Sequence, residues 1–318
     1  MNALLVIDPL DTLNLETETS LLLIEEFARR GHSASVATLP DLYLTAEGSG
    51  VRARAISLDL SRTPFYTLGD EADHAFSDFD LVLFRKDPPV DERYLMATFI
   101  LEHASRQVLV VNDPVSLRTV NEKLLTLQFP QFAPATLVSN DLERLTRFAA
   151  AHERTVLKPL TDCSGRGIRV IERRESQSAI ADYAAPQRGQ FLMAQQFLPG
   201  VARGDKRIFL LDGEAIGAVN RVPQGLHRLA NIHQGAQVEA TALTERDQEI
   251  VAALRPVLAA LRLWMAGIDV IDGYLTEINV TSPSAARQIN QVSGTRIEVP
   301  IVNFLERLVA GKRPIRGS

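Results

Sequence analysis

Gly267-Ile268-Asp269-Val270-Ile271-Asp272-Gly273-Tyr274-Leu275-Thr276-Glu277-Ile278-Asn279-Val280 sets two apolar runs on either side of an Asp-Gly pair. Aspartate followed by glycine between such runs is a strong hairpin signal, because both residues tolerate the left-handed backbone of a tight turn. Residues 208–211 and 214–220 repeat the arrangement around Asp212-Gly213. The C-terminal part of the chain therefore reads as antiparallel α+β. Between the two hairpins, Thr244-Glu245-Arg246-Asp247 opens a helix predicted over 244–263 with a capping-box pattern. A last helix is expected over about 299–309, followed by a frayed tail.

Working back toward the N-terminus, a short helix is predicted over 121–129, a strand over 136–138 and a helix over 141–151. Strands follow at 156–159, 167–171 and 191–197. The first 120 residues differ. Apolar strands at 4–7, 34–38, 81–84 and 108–111 alternate with helices. One helix starts with Thr19 or Ser20 as its cap and ends before Gly31; another spans about 94–104. Alternating strands and helices predict an open, doubly wound parallel sheet. The expected fold is α/β followed by α+β.

Composition narrows the function. A chain of 318 residues suggests two domains at roughly 150 residues each. Hydrophobic residues at 46% and charged residues at 23% exclude wholesale disorder. The net charge of −5 gives no sign of a polyanion-binding surface, so no nucleic-acid partner is expected. One cysteine cannot form an internal disulfide. The six histidines show no HxxxH or HxH spacing and read as surface residues. Met1 to Asp8 lacks a basic leader region and reads as a first strand. No apolar run approaches the ~18 residues of a membrane span. A soluble, cytoplasmic protein is expected.

Four segments carry chemistry. In the hairpin, Glu277 and Asn279 are two apart and share a face. Asp269 lies inside an apolar strand, where burying a carboxylate is costly unless a cation or donors compensate. Carboxylate and amide oxygens are hard ligands suited to Mg²⁺. A strict two-residue turn would pair Asp269 with Thr276 and point it away from Glu277 and Asn279. A metal set thus needs an odd-length connection or a bulge. The expected register is a three-residue loop over 271–273 with Asp269 opposite Leu275. The second segment is Val156-Leu157-Lys158-Pro159, followed by a small-residue loop with Gly165 and Gly167. Such loops can close over phosphates, but this segment alone favours a surface hairpin with a snorkelling lysine. Asp205-Lys206-Arg207 with Arg221, Arg228 and Asn231 forms the third, and alone it reads as a solvated charge run. The fourth, Arg85-Lys86-Asp87-Pro88-Pro89, stands at the C-terminal end of a parallel strand, where open α/β sheets bind ligands.

Read in order, the chain resembles the bacterial glutathione synthetases of the ATP-grasp superfamily. The marks are Ile7-Asp8-Pro9, Asp41-Leu42-Tyr43-Leu44, Arg85-Lys86-Asp87-Pro88-Pro89, Asn112-Asp113-Pro114 and Asn121-Glu122-Lys123-Leu124. They continue with Leu157-Lys158-Pro159-Leu160, Asp205-Lys206-Arg207, Arg221-Val222-Pro223-Gln224-Gly225 and Thr276-Glu277-Ile278-Asn279-Val280-Thr281-Ser282-Pro283. The loop over 161–167 carries fewer glycines than the family pattern, and 229–236 departs from it. The resemblance implies an ATP-grasp fold: a substrate-side domain over 1–120, a central lid subdomain over 121–198 and a C-terminal subdomain with the metal site over 199–318. It implies an ATP-dependent amide ligase that joins γ-glutamylcysteine and glycine through an acyl phosphate. By the same resemblance, Lys123, Lys158, Ser164, Gly165, Gly167, Gln195, Gln196, Leu198, Asp205 and Asn231 bind ATP. Arg207 and Arg221 are catalytic. Arg85, Asn14, Ser20 and Arg287 hold the peptide. Asp269, Glu277 and Asn279 ligate two Mg²⁺ ions, with Mn²⁺ as the alternative. The implied partners are a γ-glutamyl dipeptide and an amino acid, within a homo-oligomer. Two other readings stay open: a paralogous ligase with different substrates, and a catalytically silent nucleotide-binding protein.

Overall fold

The computed structural model describes residues 1–162, 165–187, 189–223 and 237–312, which form three sheets. The first is built from β1 (Asn2–Val6), α1 (Thr19–Arg29), β2 (Ser33–Ala37), β3 (Leu42–Leu44), β4 (Ser49–Leu58), β5 (Tyr66–Ala75), β6 (Leu81–Phe84), α2 (Glu92–Ala104), β7 (Leu109–Val111) and α3 (Pro114–Thr119). Its order is β3-β4-β2-β1-β6-β7, with β5 paired to β4. Strands β2, β1, β6 and β7 are parallel, and their apolar runs are buried on both faces. Alternate residues of β1 serve opposite sides: Leu4 and Val6 pack in the core that contains α2, Ala3 and Leu5 in the one that contains α1. This is the doubly wound arrangement expected, but the sheet is not wholly parallel. Strand β4 runs antiparallel to β2, β3 and β5.

The second sheet contains β8 (Thr136–Ser139), α4 (Leu142–Ala151), β9 (Arg154–Pro159), β10 (Arg169–Glu172), α5 (Ser176–Ala184) and β11 (Leu192–Gln196), in the order β10-β9-β11-β8. It has a small core of its own around Leu145, Leu157, Ile171, Ile180 and Leu192. The third contains β12 (Asp205–Leu211), β13 (Glu214–Val222), β14 (Gln237–Ala240), α6 (Glu245–Ala260), β15 (Met265–Ile271) and β16 (Tyr274–Asn279), with α7 (Ala286–Ser293) and α8 (Glu298–Lys312) after it. Its order is β14-β13-β12-β15-β16. Ile208 and Leu210 of β12 share one core with Val82 and Tyr94, while Phe209 and Leu211 share the other with Leu5 and Phe27. The first and third sheets therefore share two continuous cores.

Local details refine the expectations. Neither Thr19 nor Ser20 caps α1: Glu18 does, its carboxylate accepting from the Ser20 N–H at 2.7 Å. The segment expected as a helix over 121–129 is a 3-10 turn at Leu124–Gln128. Thr244 and Asp247 form the capping box that starts α6. The tail beyond residue 312 lies outside the described residues.

Candidate active site

A cleft opens between the second and third sheets, and the register of the β15–β16 hairpin sets its floor. Asp272 and Gly273 both have positive φ, 52° and 75°, so the turn is the strict two-residue kind, with Ile271 opposite Tyr274. The expected three-residue loop is absent. A bulge at Thr276 does its work instead: Val270 pairs with Leu275, but Asp269 pairs with Glu277 and Gly267 with Asn279. Asp269, Glu277 and Asn279 thus share a face. The Thr276 hydroxyl donates to the Asp269 carbonyl at 3.1 Å and ties the bulge down. The Asn279 amide donates to Asp269 Oδ2 at 3.3 Å.

The acids of this floor are held by cations. Arg207 grips Asp269 through Nε at 2.5 Å and Nη2 at 2.9 Å, and Arg221 reaches the same carboxylate at 2.8 Å. Burial alone would raise the Asp269 pKa; the two guanidinium groups outweigh it and hold it well below the usual carboxylate range. Asp205 pairs with Arg221 at 2.6 Å, yet burial pushes it up to about 7, with the Asp269 charge adding to the rise. Its Oδ1 is buried without a partner among the described residues. Lys123 Nζ lies 3.0 Å from Glu277 Oε1 and donates to the Asp162 carbonyl at 2.6 Å. Alternation along β9 buries Leu157 in the lobe core and turns Val156 and Lys158 toward the cleft. Lys158 donates to Gln195 Oε1 at 2.8 Å, and burial lowers its pKa.

Beyond these charges the wall is apolar. Val156, Val170, Leu198, Val201 and Ile271 line it beside Gln196, a surface suited to a flat heteroaromatic ring. Gln195 is buried, with its amide nitrogen on Thr136 Oγ1 at 3.0 Å, so it holds Lys158 in place. Gly165 and Gly167 lie in the β9–β10 turn with φ of 74° and 70°. That turn reaches the first sheet, since Val90 N–H donates to the Thr161 carbonyl and Arg166 to the Pro88 carbonyl. Ser164 and Asn231, with Cys163 and Arg228, lie outside the described residues.

The four residues expected to hold peptide take other places. Arg85 is buried, donating to Ser20 Oγ and to the Pro283 carbonyl, each at 2.9 Å. Arg287 pairs with Glu25 at 2.5 Å, and Asn14 is exposed and accepts from the Glu16 N–H. None of the four is among the residues that line the cleft. Thr17, Glu18, Asp87, Ser282 and Gln288 line that end of the cleft. Burial, then the Glu18 and Asp8 charges, raises Asp87 to about 6. Asp87 and Pro88, both in the segment that the strand-end rule singled out, line the cleft, whereas Arg85 of the same segment lies behind it. Glu122, also on the wall, was visible only as the neighbour of Lys123.

The donor chemistry fits the implied groups. Two carboxylates and an amide on adjacent strands are hard oxygen donors of the kind that suit Mg²⁺. The orphaned Asp205 Oδ1 suits a hydroxyl donor such as a ribose. Among the described residues no three His, Cys, Asp or Glu side chains gather as a metal site, so the set depends on Asn279.

The chain is similar to known proteins over nearly its whole length. Residues 1–118 match the N-terminal domain of prokaryotic glutathione synthetase, and residues 122–294 its ATP-grasp domain. A glutathione synthetase from Gloeobacter violaceus is 39% identical over 312 residues, 96% of each chain. One from Yersinia pestis is 36% identical, covering 97% of this chain and 98% of its own. The crystal structure of a D-cycloserine synthetase superposes with a TM-score of 0.68 at 17% identity, covering 95% of this chain and 99% of that one. A RimK domain ATP-grasp protein from Sphaerobacter thermophilus gives 0.61 at 18%, covering 96% and 100%. These two share the fold. The chain belongs to the prokaryotic glutathione synthetase family and is an ATP-dependent, ADP-forming ligase of ATP-grasp fold.

Proposed function

We propose that this ligase joins γ-glutamylcysteine to glycine. The observation that carries the reading is the convergence of Lys123, Lys158, Arg207 and Arg221 on the acids Asp205, Asp269 and Glu277 in one cleft. The substrate carboxylate attacks the γ-phosphorus of ATP; an O–P bond forms, and the bond to ADP breaks. The glycine amine then attacks the acyl carbon, phosphate leaves, and the amine gives up a proton. Both partners of the first step are anions, so cations must offset their repulsion. The two lysines do so on the nucleotide side. Arg207 and Arg221 stand where charge develops on the transferred group. Asp269, Glu277 and Asn279 would hold Mg²⁺ or Mn²⁺, two ions in this proposal, which neutralise phosphate oxygens when bound. Gln196 and Leu198 receive the adenine and Asp205 the ribose, with Gly165 and Gly167 near the phosphates; Ser164 and Asn231 enter the proposal as ATP-binding residues by resemblance alone.

The three sheets support the division into subdomains over 1–120, 121–198 and 199–318. The proposal extends to a cytoplasmic homo-oligomer, which sedimentation would test. Arg85, Asn14, Ser20 and Arg287 enter it as residues that shape the peptide end. The decisive experiment is phosphate release from ATP across a panel of acyl donors and amines. Signal requiring γ-glutamylcysteine and glycine together is expected. Turnover only with another pair would assign a paralogous ligase, and ATP binding without turnover would overturn the ligation chemistry.

A further inference from the structure

We propose that Glu122 and Asn112 are positioning residues, a clasp that fixes the metal-ligand strand relative to Lys123; this rests on the reading of Asp269, Glu277 and Asn279 as the metal set. Strand β16 is the edge of its sheet. Its outer side is met by backbone from the segment that carries Lys123. Leu275 N–H donates to the Phe132 carbonyl at 2.8 Å and Ile278 N–H to the Glu122 carbonyl at 2.9 Å. Directly after Asn279, side chains take over. Glu122 Oε1 accepts from Val280 N–H at 2.7 Å, and from the Thr281 N–H and hydroxyl at 3.0 Å each. The Val280 carbonyl accepts from Asn112 Nδ2 at 2.8 Å. Both backbone groups of the residue next to Asn279 are therefore held by buried side chains from outside the sheet.

Asn112 also grips the start of β15. Its amide donates to the Met265 carbonyl at 2.7 Å and accepts from Met265 N–H at 2.9 Å. One side chain thus bridges the beginning of the strand that carries Asp269 and the end of the strand that carries Asn279. Glu122 couples the same end to its chain neighbour Lys123, whose Nζ lies 3.0 Å from Glu277. Burial raises the Glu122 pKa, and the Glu277 charge adds to it, so a carboxylate here is costly for packing alone. Three donors on one oxygen, at the end of a ligand strand, account for its presence. Partners that orient ligands in this way are worth roughly 10–100-fold in metal affinity.

The test is Mn²⁺ binding in the presence of ADP, followed by electron paramagnetic resonance, alongside the Mg²⁺ dependence of turnover and the melting temperature. Glu122→Ala should weaken Mn²⁺ binding roughly tenfold or more and raise the Mg²⁺ half-saturation similarly, with a smaller change in kcat at saturating Mg²⁺. Asn112→Ala should move both in the same direction. Glu122→Gln keeps the acceptor oxygen and should stay within about threefold of the parent. Thr281→Val removes one hydrogen bond, should weaken Mn²⁺ binding by roughly fivefold, and decides the matter if Glu122→Ala does not fold. Unchanged Mn²⁺ affinity in Glu122→Ala, with only a lower melting temperature, overturns the clasp. So does a Gln variant as weak as the Ala variant, or an unaffected Thr281→Val. Glu277→Gln separates the two claims. If it loses Mn²⁺ while Glu122→Ala does not, the clasp alone falls; if the parent protein binds no Mn²⁺, the metal reading falls and takes the clasp with it.

Discussion

Asp269 and Glu277 face each other across the hairpin, yet their surroundings differ. Asp269 is buried and bound by two arginines, whereas Glu277 meets Lys123 from a more open position. Glu277→Gln keeps the volume and one oxygen but removes the charge. Turnover should fall roughly a hundredfold, while the thermal melt stays close to that of the parent. Near-normal ADP formation at limiting Mg²⁺ would take Glu277 out of the metal set. Lys158 supports a prediction about pH. Burial lowers its pKa, so it loses its proton earlier than an exposed lysine, which titrates near about 10.4. Only the protonated form attracts phosphate. Affinity for an ATP analogue should therefore weaken as pH rises, with a midpoint below that of free lysine. Calorimetric titrations from neutral to alkaline pH should show this step, and Lys158→Met should remove it. A step of equal size in the Met variant would assign the titration to another group.

The bulge at Thr276 shows what a local pattern can and cannot convey. Apolar runs announced β1, β6, β7, β15 and β16, because buried strands have few ways to be written. The β4–β5 pair went unseen because Asp70, Glu71 and Asp73 leave β5 polar and largely exposed, while Arg52 and Arg54 interrupt the short buried face that Val51 and Ala53 give β4. In the site, the need for Asp269 and Glu277 on one face was legible as a constraint, but its solution was not: a loop residue and a bulge residue satisfy it equally. The carbonyl-bound hydroxyl of Thr276 is the physical choice the chain makes. Arg85 and Arg287 were read by residue type, and their buried or paired heads could not be foreseen because both depend on contacts between distant segments. Thr276→Val keeps the shape and strips the hydroxyl from a buried carbonyl. A loss of about 1 kcal/mol, or fivefold in kcat/KM, is expected with the hairpin still folded. Unchanged kcat/KM would show that the bulge holds its register without the hydroxyl.

At the scale of the molecule, the two ends of the chain are joined by a charge knot built on one buried acid. Glu26 on α1 accepts from Arg29 at 2.6 and 2.7 Å, from Arg30 at 2.6 Å and from Arg296, just before α8, at 2.9 Å. Arg30 continues to Glu306 on α8 at 3.0 Å. The knot docks the last helix on the first sheet, beside the core that also holds β12 and β15. It therefore bears on the frame of the cleft without touching it. The Arg29 hydrogen bond is the largest influence on Glu26, and with Arg30 it overcomes burial to lower the pKa from 4.5 to about 2. A folded-state value below the unfolded one adds stability that is complete above about pH 4.5 and is lost as pH falls toward about 2. Glu26→Gln leaves the arginines facing a neutral amide and should cost roughly 1.5–3 kcal/mol near neutral pH. It should also flatten the acid limb, because the variant has no proton to take up at this position. Urea unfolding at neutral pH and at a series of points below pH 5 measures both effects. A variant as stable as the parent at neutral pH, or one whose stability falls as steeply in acid, would show that the two ends are held by apolar packing and not by the knot.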